Sequence, residues 1–395
     1  MKTVNDFNFH NKRALIRVDF NVPLNDAFEV TDATRIEAAM PTIIKILEDG
    51  GSCVLMSHLG RPKNREAEFS LAHIVNKASE IFGVSVRFVS DCIGDEVTEA
   101  VANLQSGEIL LLENLRYYEA ETKGDVDFAE KLSKFGDIYV NDAFGTAHRA
   151  HASTAVIADF FPDRKCFGLL LASEIEHVNK VLTHSEKPVT AVIGGAKVSS
   201  KITIIENILD KIDHLIIGGG MAFTFIKAQG GSIGSSLVED DKQEMALAIL
   251  DMAKQKQVKV HLPVDAIIAD SFSEEANTQI CAIDQIKEGW LGLDTGPATN
   301  QLFSEVIADS KTILWNGPIG VFEMDKFSGG TISLGNAIVK ATEGGAFSLV
   351  GGGDSVSAAK KFNLDEKVSY VSTGGGAMLE MLEGKVLPGI QAIMN

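Results

Sequence analysis

Basic side chains suited to anion binding are concentrated in the first part of the chain. All nine arginines lie within the first 164 of the 395 residues. His58, Arg61, Arg116 and Arg149 each follow a short apolar segment. A guanidinium group binds carboxylate or phosphate oxygens through two parallel hydrogen bonds. Each of these side chains alone could be a surface charge or an ion-pair partner, but their shared position after strand-like segments predicts one site for a small anion.

Glycine-rich segments mark the second half, with Gly-Gly-Gly runs at 218–220, 351–353 and 374–376. Glycine turns between a strand and a helix bind phosphate on backbone N–H groups, because no Cβ keeps the ligand away. The segment VTAVIGGAKVSSK carries Lys197 and Lys201. Their spacing predicts that both amines project from one face of a helix beginning there.

A second glycine segment, FSLVGGGDSVSAAKKF, has Asp354 and Ser355 at the start of a predicted helix. Asp is a common helix N-cap, so this carboxylate has a purely structural interpretation. If phosphates bind the same helix end, the carboxylate would repel them unless Mg²⁺ lay between the two. Nucleotide binding and Mg²⁺ binding are therefore predicted together. Asn316 and Glu323 follow another apolar segment, Glu323 as a candidate acceptor for ribose hydroxyls, and Gly292 is expected in a glycine-rich turn.

The elements that position these residues alternate between strand and helix patterns. Apolar segments rich in Val, Ile and Leu lie at 14–18, 53–56, 86–89, 108–112, 137–140, 189–193, 214–218, 259–263, 312–315, 347–350 and 367–371. Helical periodicity covers 34–48 and 201–211. This alternation predicts an α/β protein with parallel sheets, arranged as two doubly wound lobes. The amphipathic segment 169–182 is either a stiff connector between them or another core helix.

Composition narrows the class of protein. The hydrophobic fraction of 45% and charged fraction of 23% are ordinary for a globular protein, whereas the net charge of −18 makes nucleic acid and anionic membranes poor partners. The four cysteines have no metal-binding spacing, and no apolar segment reaches the roughly 18 residues of a membrane span. We expect a cytoplasmic protein.

Several common motifs are absent, including GxxxxGK[ST], GxGxxG after a strand, GxSxG and HExxH. Phosphoryl transfer between two anions fits what remains, because its transition state needs alignment and charge neutralisation more than a side-chain nucleophile. Two alternatives stay open: a non-catalytic, nucleotide-regulated binding protein for phosphorylated metabolites, and a dinucleotide-dependent oxidoreductase.

The segments RVDFNVP, SHLGRP, LLENLR, NDAFGTAHRAH, GGAKVSSK, GGGMAFTF, WNGPIGVFE, GGGDS and STGGGA, in this order, closely resemble phosphoglycerate kinases between Arg17 and Gly384. The resemblance implies reversible, Mg²⁺-dependent transfer of a phosphoryl group between 1,3-bisphosphoglycerate and ADP, giving 3-phosphoglycerate and ATP in glycolysis. It also implies a monomer with two domains facing each other across a cleft and joined by a helix. Their expected bounds are 1–168 plus 385–395 for 3-phosphoglycerate and 169–384 for the nucleotide. Ser355 stands where many relatives have Thr, and it keeps the hydroxyl donor.

The resemblance also implies residue roles. Arg35 and Lys201 are expected to act on the transferred phosphoryl group, and Asp354 to bind Mg²⁺. The residues expected to bind the phosphoglycerate are Asp19, Phe20, Asn21, Arg35, His58, Leu59, Gly60, Arg61, Arg116 and Arg149. Those expected to bind ATP or ADP are Lys197, Lys201, Gly292, Asn316, Glu323, Gly352, Gly353, Asp354 and Ser355.

Overall fold

The chain folds into two compact units in a computed structural model that describes Met1–Asn395. Unit 1 comprises Met1–Glu176 and Val386–Asn395, and unit 2 comprises His177–Lys385. The division falls inside the helix Leu169–Leu182, whereas the predicted boundary at residue 168 lies just before it.

Unit 1 is built on a parallel six-stranded sheet with the strand order β3-β4-β2-β1-β5-β6. The strands are β1 (Arg13–Arg17), β2 (Ser52–Met56), β3 (Val86–Phe88), β4 (Ile109–Leu111), β5 (Ile138–Asn141) and β6 (Lys165–Phe167). The helices are α1 (Thr34–Glu48), α2 (Val75–Phe82), α3 (Asp95–Ala102), α4 (Glu119–Lys123) and α5 (Val126–Ser133). The central strands are almost entirely buried, as continuous apolar segments predict.

Helix α6 (Leu169–Leu182) follows, with the bounds predicted from its amphipathic pattern. Two buried side chains accept hydrogen bonds at its start. The Leu169 N–H donates to Thr42 Oγ1 at 2.8 Å, and the Leu171 N–H donates to Asp142 Oδ1 at 3.0 Å. These bonds satisfy first-turn N–H groups that have no partner within the helix, which explains why it begins there.

Unit 2 contains a second parallel six-stranded sheet, with the order β10-β8-β7-β15-β16-β17. The strands of unit 2 as a whole are β7 (Val189–Ile193), β8 (His214–Ile217), β9 (Ser232–Ile233), β10 (Lys259–His261), β11 (Asp265–Ala269), β12 (Thr278–Ala282), β13 (Gln285–Ile286), β14 (Leu291–Thr295), β15 (Thr312–Asn316), β16 (Phe347–Val350) and β17 (Tyr370–Val371). Its helices are α7 (Ile202–Ile208), α8 (Ala222–Ala228), α9 (Gln243–Gln255), α10 (Pro297–Ala308), α11 (Gly329–Glu343), α12 (Gly353–Lys361) and α13 (Gly376–Leu382). The predicted fold class, two α/β lobes with parallel sheets, is confirmed.

Two small sheets in unit 2 were not predicted from the sequence: the antiparallel sheet β12-β11-β14 and the pair β13-β9. They correct one expectation, because Gly292 lies within strand β14, paired with Ile268, and not in a turn. The last helix, α14 (Pro388–Met394), belongs to unit 1, where the Gly389 N–H donates to the Ala147 carbonyl at 2.8 Å.

Candidate functional site

The basic residues of unit 1 follow adjacent strands of its sheet. Strand β1 pairs with both β2 and β5, and β2 pairs with β4. Parallel strands bring their carboxyl ends to one edge, which is where ligands bind in open α/β sheets. The segments that begin at Asp19, Ser57, Leu112 and Asp142 therefore start side by side, although they are far apart in sequence.

Arg35 at the start of α1 is held by the segment after β1. Its Nη1 donates to Asp19 Oδ2 at 3.1 Å and to the Asn21 carbonyl at 3.0 Å. Asp19 is buried, and its Oδ1 is a buried oxygen without a hydrogen-bond partner. The Asn21 side chain accepts the Gly60 N–H at 2.8 Å, which ties the segments after β1 and β2 together.

Gly60 lies at the centre of this arrangement. Its φ of +63° lies in the left-handed region, and an added Cβ would lie 2.3 Å from the Phe69 ring. Its carbonyl accepts a hydrogen bond from Arg116 Nη1 at 2.7 Å. The buried Nε of Arg116 has no partner in the protein. Burial, with Arg17 and Arg149, lowers the pKa of Arg116 to about 10, so positive charge is crowded here.

His58 is buried beside Arg17, a residue that the sequence reasoning did not select for the site. Arg17 Nη2 lies 3.2 Å from His58 Nδ1, and Asp19 Oδ1 lies 3.7 Å from the same atom. Burial, followed by the charges of four surrounding arginines, lowers the pKa of His58 well below its ordinary value. His58 is therefore neutral near pH 7.

The remaining predicted residues of this group differ in exposure. Arg149 is half-buried, with Nε 3.2 Å from His148 Nε2, whereas Arg61 is exposed. Phe20 and Leu59 have their side chains in the hydrophobic core of unit 1. For these two residues, only the backbone is available to a ligand.

The predicted phosphate-binding residues of unit 2 line a cavity of about 310 Å³. Lys201 Nζ donates to Asn316 Oδ1 at 2.6 Å, and Asn316 Nδ2 donates to the Gly351 carbonyl at 2.7 Å. The predicted common helix face for the two lysines was wrong. A 3-10 turn, Val198–Ser200, separates them, and α7 begins only at Ile202, so Lys197 is exposed and Lys201 half-buried.

The N-terminus of helix α12 forms another wall of this cavity. Gly352 is the N-cap, with a φ of +92°, and an added Cβ there would lie 2.6 Å from Asn316 Nδ2. Ser355 Oγ accepts the Gly317 N–H at 2.5 Å. The helix has no side-chain cap, so the capping interpretation of Asp354 was wrong; this carboxylate is exposed and lines the cavity.

An apolar cavity of about 610 Å³ adjoins the first, since Gly195, Ala196 and Asp354 line both. Leu237 and Phe272, at its wall, are 49% and 62% exposed, which is unusual for large apolar side chains and suits contact with a planar ring. Gly292 lines it as well, where an added Cβ would lie 2.2 Å from the Phe223 ring. Glu323 contributes an exposed carboxylate.

This combination suits an α/β phosphotransferase: one unit offers cations for a small anion, and the other offers an apolar cavity beside a phosphate-sized one. Comparison with known proteins agrees. The family model described as phosphoglycerate kinase matches residues 4–385. The phosphoglycerate kinase of Porphyromonas gingivalis is 53% identical, with all of both chains covered, and the cytosolic phosphoglycerate kinase of Triticum aestivum is 48% identical over 99% of this chain and 97% of its own.

Solved structures give the same result. The structure of phosphoglycerate kinase from Coxiella burnetii matches with a TM-score of 0.91 and 43% identity, covering 99% of this chain and 98% of that one. That of Pyrococcus horikoshii OT3 matches with a TM-score of 0.84 and 30% identity, covering 100% and 98%. The chain belongs to the phosphoglycerate kinase family. It is a phosphotransferase with a carboxyl group as acceptor, which confirms the predicted activity over both alternatives.

The sequence reasoning missed Arg17 and the exposed apolar side chains Leu237 and Phe272. Arg17 carried a usable signal, because a charged residue within the otherwise apolar segment ALIRV requires a buried partner. The two apolar residues carried none, since single apolar residues between predicted elements are common. No helix in the structure has the length and apolar character needed to cross a bilayer.

Proposed function

We propose that the basic cluster of unit 1 binds the phosphoglycerate. One observation supports this above all: Arg17, Arg61, Arg116 and Arg149 form no ion pair, although the chain has 54 acidic residues and only 36 Lys and Arg. Of these, Arg17, Arg116 and Arg149 all lie near enough to His58 for their charges to lower its pKa, so their guanidinium groups repel one another, and a bound anion relieves that repulsion.

Within this cluster we assign Arg61, Arg116, Arg149 and His58 to the phosphate that is not transferred. Asp19 and Asn21 would orient the glycerate hydroxyl and carboxyl end. Phe20, Leu59 and Gly60 would contribute backbone groups and shape, since two of these side chains are in the core and the third is absent. Neutral His58 would donate a hydrogen bond and add no charge.

In unit 2 we assign the apolar cavity to the nucleoside and the smaller one to its phosphates. A volume of about 610 Å³ lies in the ordinary range for small-molecule sites. Gly292 leaves the space that a side chain would fill, and Glu323 would accept hydrogen bonds from ribose. Lys197, Lys201, Asn316 and the α12 terminus with Gly352, Gly353 and Ser355 line the second cavity.

Asp354 fits a Mg²⁺ site of the kind found with nucleotides. Mg²⁺ is usually held by one or two carboxylates together with substrate phosphates and waters. The Asp354 carboxylate is exposed, is not used as a helix cap and lines both cavities. Mg²⁺ bound there would neutralise charge on the nucleotide phosphates.

For catalysis we assign Arg35 and Lys201 to the transferred phosphoryl group. Both are half-buried cations held by defined partners, Arg35 by Asp19 and the Asn21 carbonyl and Lys201 by Asn316. These contacts fix their charge in place before the reaction. Because each substrate is assigned to a different unit, we propose that the units approach one another when both are bound, which would also exclude water from the acyl phosphate. Small-angle scattering should show compaction only with both ligands present.

We further propose that the protein is a monomer of the cytoplasm. The cytosolic wheat relative supports the compartment, although the relative from Arabidopsis thaliana is named chloroplastic. Analytical ultracentrifugation would test this, since the molar mass obtained for a dimer would be twice the 42.4 kDa of one chain.

The test of the residue assignment is a coupled assay with 3-phosphoglycerate and Mg-ATP. Arg116→Ala should raise KM for 3-phosphoglycerate about tenfold or more, because charge-assisted hydrogen bonds are worth roughly 1.5–3 kcal/mol. Arg87→Ala is the matched control, since Arg87 is a surface arginine paired with Glu108. Equal KM values for the two variants would contradict the assignment.

A further inference from the structure

A network of buried side chains leads from Glu121 to His58. The Ser153 hydroxyl lies 2.7 Å from Glu121 Oε1, Arg17 Nε lies 2.9 Å from Ser153 Oγ, and Arg17 Nη2 lies 3.2 Å from His58 Nδ1. Glu121, Ser153 and Arg17 are each 0% exposed, and His58 is 3% exposed. We call these four residues the buried network.

The hydrogen atoms of this network can be assigned from chemistry alone. A guanidinium group only donates, and an ionised carboxylate only accepts. Ser153 must therefore accept from Arg17 and donate to Glu121. At the other end His58 Nδ1 must accept from Arg17, so the proton of the neutral ring is on Nε2.

The competing arrangements fit the distances less well. A proton on Nδ1 would face the Arg17 N–H at 3.2 Å, and the alternative acceptor, Asp19 Oδ1, lies 3.7 Å away, beyond a normal hydrogen bond. Asp19 Oδ1 has no hydrogen-bond partner. A second proton on the ring is opposed by burial and by Arg17, Arg35, Arg116 and Arg149.

Glu121 explains how a fully buried arginine keeps its orientation. Arg17 has no direct ion pair, and a buried charge is costly unless it is compensated. Ser153 connects it to the buried carboxylate, whose second oxygen accepts the Ser153 N–H at 3.0 Å. Arg17 Nη1 also donates to the Val18 carbonyl. The guanidinium is thus held on two sides, with Nη2 directed at His58.

We propose that Glu121, Ser153 and Arg17 are positioning residues that hold His58 as the neutral tautomer with its proton on Nε2. This atom has no hydrogen-bond partner within the protein. The role of that proton as a donor to phosphoglycerate rests on the proposed function, whereas the tautomer does not. None of the three positioning residues needs to touch the substrate.

Nitrogen NMR of the intact protein with labelled histidine tests the tautomer directly. His58 is one of nine histidines, and its signals are assigned by their loss in His58→Asn. The expected spectrum of the free protein at pH 7 has a protonated Nε2 and an unprotonated Nδ1. A proton on Nδ1, or on both nitrogens, would overturn the proposal without any substitution in the buried network.

Ser153→Ala tests the positioning role, with Thr154→Val as its matched control. The adjacent Thr154 hydroxyl is buried without a hydrogen-bond partner, so this isosteric change removes a hydroxyl that connects no other side chains. Ser153→Ala should shift His58 away from the pure Nε2–H signature and raise KM for 3-phosphoglycerate about tenfold. Wild-type His58 signals in Ser153→Ala would overturn the role.

Titration with 3-phosphoglycerate separates the two proposals. A perturbed His58 Nε2 signal supports both of them. An Nε2–H signal that is present but does not respond to ligand would confirm the tautomer and contradict the placement of the substrate. Should Ser153→Ala fail to fold, Arg17→Lys replaces it, since Lys retains the charge but cannot span Ser153 and His58 together.

Discussion

Replacement of Lys201 by Ala gives the sharpest test of the proposed catalytic arrangement. Lys201 Nζ is half-buried and fixed 2.6 Å from Asn316 Oδ1. Burial lowers its pKa, while the nearby carboxylates Asp354 and Glu383 act in the opposite direction. A cation placed in this way acts on charge that develops on the transferred phosphoryl group.

The size of the effect follows from the general strength of charge–charge interactions. Two unit charges 4 Å apart interact by about 4 kcal/mol at an effective dielectric constant of 20. Loss of one preorganised donor to a transition state costs about 2.7–4 kcal/mol, or roughly 10²–10³ in kcat. The two figures agree, so we expect Lys201→Ala to lower kcat by that factor, with a smaller change in KM for ATP.

Loss of folding must be separated from loss of catalysis. Without Lys201, the buried oxygen of Asn316 lacks its partner, which costs roughly 1–3 kcal/mol. In a unit of this size each kcal/mol lowers Tm by about 2–4 °C. Such a change leaves the variant folded at 25 °C in a stable protein, and thermal unfolding monitored by circular dichroism measures it.

Steady-state kinetics of the coupled reaction measure the effect of Lys201→Ala on kcat, with Lys197→Ala as the control. Lys197 lines the same cavity but is exposed and forms no ion pair. Its removal should raise KM for ATP less than about tenfold and leave kcat nearly unchanged, since exposed charges are screened. A kcat for Lys201→Ala within threefold of wild type, or a greater kcat loss in Lys197→Ala, would refute the reasoning.

Two further predictions concern folding stability. Gly60→Ala should lower the free energy of unfolding by about 1–3 kcal/mol more than Gly83→Ala, as measured by urea denaturation. Both glycines have positive φ (+63° and +66°), but only at Gly60 would the added Cβ meet another residue, at 2.3 Å; equal losses would contradict this. The second prediction concerns His151, whose pKa is lowered to about 4, first by burial and then by the positive charges around it, Arg116, Arg17, Arg149 and His148. The lowering occurs although the Glu121 carboxylate is close, with 3.8 Å between His151 Nδ1 and Glu121 Oε1. Since the unfolded histidine titrates near 6.5, the unfolded state binds more protons between about pH 4 and 6.5, and stability is lost as pH falls through this range. The free energy of unfolding of wild type minus that of His151→Asn should therefore fall as pH decreases from 6.5 to 4. A difference that stays constant over this range would refute the lowered pKa of His151.

Much of the regular structure was predictable because its signals are local. The bounds of α1 and α6 match the predicted segments, since helical periodicity is repeated over several turns. The parallel strands were recognised because burial on both faces requires continuous apolar segments. The small strands β9 and β11–β14 were missed. Strand β12 is largely exposed and has no such segment.

The sites were predictable in part. The residue types and their positions after strands indicated an anion site and a phosphate site, and the order of the motifs indicated the family. Chain spacing misplaced Lys197 and Lys201, because a 3-10 turn interrupts the assumed helix. It left two interpretations of Asp354 open, helix cap or Mg²⁺ ligand; the structure places this residue beyond the N-cap, with its carboxylate available.

The sequence by itself determined the strand and helix pattern, the fold class and the chemical types that each site offers, because these depend on residues close together in the chain. Only the tertiary structure decided which charges are paired and which proton is where. Arg17 meets His58 and Ser153, which are 41 and 136 positions away. Contacts over such distances depend on strand order and register, and the pKa and tautomer of His58 depend on those contacts in turn.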